Sequence, residues 1–171
     1  MSLATIILAL VTLQRLGELA LARRNTQKLL ARGAVEVGAN HYPLLVSVHA
    51  AWLISLWIWG RDQDVNLIAL GLFIVLQGLR VWVFAALGSR WTTRIIVVSG
   101  EPLVRAGPYR YLSHPNYAVV AAEIALLPLA LHLPLLALIF TALNAAALVI
   151  RIRTEARALS AISGQLARTA S

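Results

Sequence analysis

The chain has 171 residues, of which 60% are hydrophobic and 13% charged, with a mean hydropathy of +0.77; it has room for one domain and too few charges to coat a soluble globule. The net charge of +8 comes from 15 Lys and Arg against 7 Asp and Glu, and it falls mostly between apolar runs, a pattern that fits loops beside anionic lipid better than a nucleic-acid surface. There is no cysteine, so disulfides, thiolate metal ligation and thiol catalysis are excluded.

The first apolar run covers residues 3–22, about the length that spans a bilayer. MSLATIILALV has no basic n-region and no small-residue cleavage site, so it reads as a retained helix rather than a signal peptide. Arg15 and Glu18 share one face of that helix; they form either an interfacial ion pair or a polar face turned into a bundle. Residues 23–39 read as a basic loop with Arg23, Arg24, Lys28 and Arg32. The second span is 43–60, closed by Trp57 and Trp59 as an aromatic belt, with His49 inside it as a helix–helix hydrogen-bond partner or a ligand. The third is 65–87, where Arg80 either snorkels or points into the polar stretch that follows.

That stretch, Gly88 to Tyr117, holds three of the six prolines, four arginines and His114, and none of it suits a hydrocarbon core. Polar, Gly/Pro-rich segments of this kind in membrane proteins carry function. Gly107–Pro108 signals a turn flanked by Arg105 and Arg110. Tyr109 and Tyr111 would share a side if the segment were extended. Pro115 suits the first position of a helix, with His114 before it, and the free N–H groups there could receive a polar or anionic ligand group. Spans at 117–131 and 135–150 then form a helical hairpin turned at His132–Leu133–Pro134, with Glu123 and Asn144 inside it. From Arg151 onward a basic helix leaves the membrane, with Arg151 and Glu155 on one face. Basic residues concentrate in 23–39, 88–115 and the tail, but not in 61–64 or 132–134. Five spans with the N-terminus outside and the C-terminus in the cytoplasm satisfy that alternation.

GPYRYLSHPNY, followed after a hairpin by RIRTEA, resembles the isoprenylcysteine carboxyl methyltransferase family, whose signature is close to G-P-Y-x-x-x-R-H-P-x-Y and then R-x-R-x-E-E. LQRLGELALARRN, GAVEVGANHYP and RVWVFAALGSRWTTRIIVVSGEPLVRAGPYRY resemble a bacterial subgroup found beside type III polyketide synthases, whose acceptors are alkylpyrone or alkylresorcinol hydroxyls. The resemblance implies S-adenosyl-L-methionine as cofactor. It places Gly107, Pro108, Tyr109, Tyr111, His114, Pro115 and Tyr117 at the cofactor site, closed by Glu155, with Arg151 or Arg153 holding the cofactor carboxylate or the acceptor. Two positions depart from the family: Ser113 stands where it has arginine, and Ala156 where it has its second glutamate.

The expectation is therefore an all-α integral membrane helical bundle. It is one domain over 1–171, with five transmembrane helices, a C-terminal hairpin and a cytoplasmic cofactor pocket formed by 88–117 and 151–159. It would sit in the bacterial plasma membrane among membrane lipids and methylate a lipophilic or prenylated acceptor from the bilayer, at a prenylcysteine-like carboxylate or an alkylpyrone or alkylresorcinol hydroxyl, with no metal and no nucleic acid. Glu123, His114 and Arg80 are the groups to assist a phenolic acceptor. Two rival readings are an NADPH-dependent enzyme like the membrane sterol reductases, and a lipid-binding membrane protein without catalysis.

Overall fold

The computed structural model describes residues 2–98 and 104–169, with side chains through Arg157; part of the expected cofactor segment, 99–103, and the side chains of 158–159 lie outside the described residues. Five α-helices run α1 Leu3–Leu30, α2 Tyr42–Trp59, α3 Leu67–Leu87, α4 Pro115–Ala130 and α5 Pro134–Thr169. Four of the five are long and apolar enough to cross a membrane, and α4, at 16 residues, is shorter. Large apolar side chains along α3, among them Ile68, Ile74, Val75 and Val81, are left exposed, which water would penalise and lipid does not. The protein is an integral membrane helical bundle.

Two elements differ from the sequence reading. α1 continues through Arg23–Arg24 to Leu30, because LARRNTQKLL is rich in good helix formers and nothing breaks it before Gly33. The all-α bundle also carries a small ribbon: β1, Val35–Val37, pairs antiparallel with β2, Ile95–Val97, in the register Val35↔Val97. The extension of α1 has a function in the fold, since Asn25 donates to the Trp91 carbonyl at 2.8 Å and fixes the start of the loop after α3.

The apolar core joins Leu8 and Val11 of α1, Val48, Trp52 and Leu56 of α2, Phe73 of α3, Ile124 and Leu127 of α4 and Phe140 of α5. Pro128 lies inside α4 and has no N–H, so the Ile124 carbonyl loses its helical partner. Trp52 Nε1 donates to that carbonyl at 3.2 Å, as a bilayer interior requires of every freed backbone group. At one end of the bundle the α1 start meets the α2–α3 turn, with Thr5 Oγ1 donating to the Arg61 carbonyl at 3.0 Å. The α4–α5 turn joins them there, with Asn66 N donating to the Ala130 carbonyl at 2.8 Å. The ribbon, the 88–114 segment and the α5 continuation therefore gather at the other end.

Candidate functional site

Two polar clusters stand out, one inside the bundle and one at the ribbon end. The inner cluster is a four-charge network. Arg15 and Glu18 of α1 face inward as well as pairing with each other, at 3.0 Å. Arg80 of α3 donates from Nε to Glu18 Oε1 at 2.6 Å and from Nη1 to Glu123 Oε2 at 2.6 Å. Arg15 Nη2 also reaches Glu123, at 2.8 Å, and Gln77 donates to its other oxygen at 2.8 Å. Gln14 bridges Glu18 and Gln77. Two guanidinium and two carboxylate groups balance to zero charge, which is how ions persist in a low-dielectric interior. Arg80 thus neither snorkels nor reaches the polar loop. Glu123 is 0% exposed and accepts three hydrogen bonds, two on Oε2 and one on Oε1, which tie it into this network. His49 bonds the Leu45 carbonyl of its own helix at 2.8 Å, not a neighbouring helix.

The outer cluster grows from the α4–α5 hairpin. Pro115 fixes the first helical position of α4, and His114 before it makes no side-chain cap; its ring instead stacks on Tyr117, centroids 5.1 Å apart and planes 9° from parallel. Because α5 returns antiparallel to α4, its Arg151–Glu155 face meets Tyr117. Arg151 Nε donates to the Tyr117 hydroxyl at 2.8 Å, and that hydroxyl donates to Glu155 Oε2 at 2.7 Å. The Arg151 guanidinium lies 5.3 Å from the Tyr117 ring centroid, and its Nη1 donates to the Thr93 carbonyl at 2.8 Å. Arg151 therefore ties the hairpin to the loop after α3. That loop is braced in turn: Arg94 holds Glu36 through contacts of 2.6 and 2.9 Å and lies over the Tyr42 ring.

Residues 107–110 form a 3-10 turn, with Gly107 at φ +57. A side chain at Gly107 would meet Ala86 Cβ at 3.0 Å and Trp82 Nε1 at 3.2 Å, so glycine is required there both by conformation and by space. In a 3-10 turn residues two apart diverge, which corrects the expectation that Tyr109 and Tyr111 share a side. Tyr109 is half-buried against Val83 and Trp91. Burial first, and then the nearby Glu155 carboxylate, push its phenol from 10.0 up to about 12. Tyr111 is 73% exposed. Of the other expected site residues, Pro108 and Pro115 are buried and Arg153 is exposed, away from the Tyr117–Glu155–Arg151 chain.

Thr93, Tyr42 and Asn116 were not legible as site residues in the sequence. Trp91 Nε1 and Asn116 Oδ1 are buried with no partner among the described residues: an unmet donor beside Tyr109 and an unmet acceptor beside Tyr117. The cluster thus offers a carboxylate, a guanidinium, aromatic faces and orphan polar groups within one end of the bundle. That set suits a polar ligand carrying a cation, hydroxyls and an acid group.

Comparison with known proteins gives three results. Residues 69–161, just over half the chain, match the model of the isoprenylcysteine carboxyl methyltransferase (ICMT) family. The uncharacterized protein YpbQ of Bacillus subtilis (strain 168) is 38% identical over 163 residues, covering 92% of this chain and 97% of that one. An uncharacterized protein of Haemophilus influenzae is 26% identical over 152 residues, covering 85% and 88%. No solved structure matches.

Proposed function

The chain belongs to the isoprenylcysteine carboxyl methyltransferase family, whose members are methyltransferases, and from that membership we propose that it is an S-adenosyl-L-methionine-dependent O-methyltransferase acting on a lipophilic acceptor from the bilayer. The observation that carries the reading is the Arg151–Tyr117–Glu155 chain at the meeting of the family's two signature segments. Bound there, S-adenosylmethionine would supply an electrophilic methyl group on a sulfonium. Glu155 would accept from the ribose hydroxyls through the oxygen that Tyr117 does not occupy. The remaining N–H groups of Arg151 would hold the amino-acid carboxylate. The Glu155 charge, with the half-buried Tyr109 ring near it, would stabilise the sulfonium cation. Trp91 Nε1 and Asn116 Oδ1 are unmet groups that such a ligand would satisfy.

The contribution of the protein is then alignment and exclusion of water. The attacking oxygen, the methyl carbon and the sulfur come into line; the O–C bond forms as the C–S bond breaks, the pair returns to sulfur, and the proton of a hydroxyl acceptor would pass to His114, whose ring stacks on Tyr117. The ribbon end of the bundle carries the basic segments and is assigned to the cytoplasm, where the cofactor is found; the acceptor enters from the membrane side.

One observation favours a hydroxyl over a carboxylate as the acceptor. Asn144 is 1% exposed, and its Oδ1 has no partner among the described residues. It lies two turns from Arg151 on the same face of α5, about 10 Å deeper in the bundle. An unmet acceptor needs a donor, which an enol or phenol O–H supplies and an ionised carboxylate does not.

The test is transfer of labelled methyl from S-adenosylmethionine into organic-soluble product, using proteoliposomes and a bacterial lipid extract. Label in a base-stable ether is the expected result. Label released as methanol by mild base would assign a carboxylate acceptor instead. No transferred label, together with no effect of S-adenosylhomocysteine on thermal stability, would overturn the methyltransferase reading.

A further inference from the structure

A groove of about 230 Å³ runs between α3 and α4, and the proposed chemistry makes no use of it. Leu76, Leu79 and Trp82 line it from α3, Ala118 and Val119 from α4, and Tyr111 from the connecting loop. From Leu76 to the end of its α3 wall at Val83 it follows seven residues, about 10 Å of helix, running inward from the ribbon end. Its lining is almost wholly apolar.

The groove lies on the far side of α4 from the Tyr117 cluster. At 3.6 residues per turn, Pro115 and Val119 each stand about 200° from Tyr117 around the helix. Tyr117 faces α5 and bonds Arg151 and Glu155, whereas Val119 faces α3. An amphiphile in this groove would therefore sit behind the catalytic hairpin, not in line with it.

The charge at its mouth points to a ligand class. Arg105 and Arg110 are exposed, one just before the Gly107–Arg110 turn and one at its end, between the wall residues Pro108 and Tyr111. Neither has an acidic partner among the described residues, in contrast to Arg94, which is held by Glu36. Tyr111, 73% exposed beside them, adds a hydroxyl donor. Two cations and a phenol above an apolar slot are complementary to one acyl chain below a phosphate. We propose that the α3–α4 groove is a binding site for an anionic phospholipid, with a chain against Leu76, Leu79, Trp82 and Val119 and its phosphate on Arg105 and Arg110. The Gly107–Arg110 turn and the start of α4 would rest on this lipid, so that it supports from behind the segment that presents Tyr109 and His114. This inference stands independently of the methyl-transfer reading, because it uses neither the cofactor nor the acceptor.

Trp82 supplies a direct readout, since it lines the groove and is 44% exposed. Wild type and Trp82→Phe are placed in phosphatidylcholine nanodiscs containing a minor fraction of brominated lipid, and the difference between the two fluorescence signals isolates Trp82. Brominated phosphatidylglycerol should quench that signal well above brominated phosphatidylcholine at equal fraction. The preference should fall about fivefold for each arginine removed in Arg105→Gln and Arg110→Gln, the scale of one basic residue against anionic lipid. Equal quenching by the two lipids, or a preference that survives both substitutions, would overturn the proposal. An uncharged alkylphenol that displaces the phosphatidylglycerol signal as well as unbrominated phosphatidylglycerol does would overturn it too, and assign the groove to a neutral amphiphile.

Discussion

Replacing Glu123 by Leu removes the acceptor of three hydrogen bonds at once, those from Arg15, Gln77 and Arg80 at 2.8, 2.8 and 2.6 Å. The four-charge network then holds Arg15, Arg80 and Glu18, and its balance moves from zero to one net positive charge. Arg80 is 4% exposed and Glu123 0%, so water does not screen the excess. Stranding one member of a buried ion pair costs about 3–5 kcal/mol, and an unpaired charge at mid-membrane costs about as much. Glu123→Leu should therefore destabilise the bundle by about 3–5 kcal/mol, measured by reversible unfolding in mixed micelles at fixed lipid composition. Arg80→Met should cost a similar amount. The double variant leaves only the neutral Arg15–Glu18 pair, so its loss should fall short of the sum by about 2 kcal/mol, within the range for directly coupled residues. A loss below about 1 kcal/mol for Glu123→Leu, or strict additivity in the double variant, would refute the structural role. So would a Glu123→Gln variant that is fully stable yet has no turnover, since that is the behaviour of a catalytic base.

Trp52→Phe leaves the Ile124 carbonyl without a partner and should cost about 1–3 kcal/mol; Pro128→Ala restores a helical donor to that carbonyl, so the cost should largely vanish in that background, and an equal cost in both would exclude the explanation. The Tyr109 phenol should titrate near pH 12 rather than 10, read as wild type minus Tyr109→Phe in ultraviolet difference spectra, and Glu155→Gln should bring it down. Because the folded value lies above the unfolded one, the contribution of Tyr109 to stability is whole below pH 10 and lost between 10 and about 12; a titration at the ordinary value would show that Tyr109 is not packed as described. Gly107→Ala should cost about 1–2 kcal/mol, the penalty of left-handed backbone for a residue with a Cβ, with a further loss from the 3.0 Å approach to Ala86; unchanged thermal stability would mean the turn is not held as described.

The sequence made the first three spans legible as long apolar runs and the last two as shorter ones, of which α4 is indeed short, and it marked the Arg15–Glu18 pair, Arg80 and Glu123 separately as charges out of place. It did not show that the four meet, since the distance between helices is absent from a linear pattern. Charge balance was the available signal: two acids and two bases within spans must find one another in lipid. The end of α1 was misplaced because the basic residues after Ala22 mark where membrane stops, not where helix stops. The ribbon escaped notice because VEV and IIV are too short for a period-two pattern and pair across about 60 residues of chain. Tyr109 and Tyr111 were put on one side by assuming an extended segment, whereas Gly107 turns the chain into a 3-10 arc. The family motif pointed to Tyr117 and Glu155, but the carbonyl of Thr93 as a partner of Arg151 depends on a loop whose path only the fold reveals.

The central claim is that the Arg151–Tyr117–Glu155 chain holds the methyl donor, and calorimetric titration of the purified protein with S-adenosylhomocysteine tests it most directly. Wild type should bind, and Glu155→Gln should bind about 1–3 kcal/mol more weakly, the range for a lost charge-assisted hydrogen bond, while melting without ligand at the wild-type temperature. Absence of binding by the wild type, or affinity unchanged by Glu155→Gln, would contradict the account.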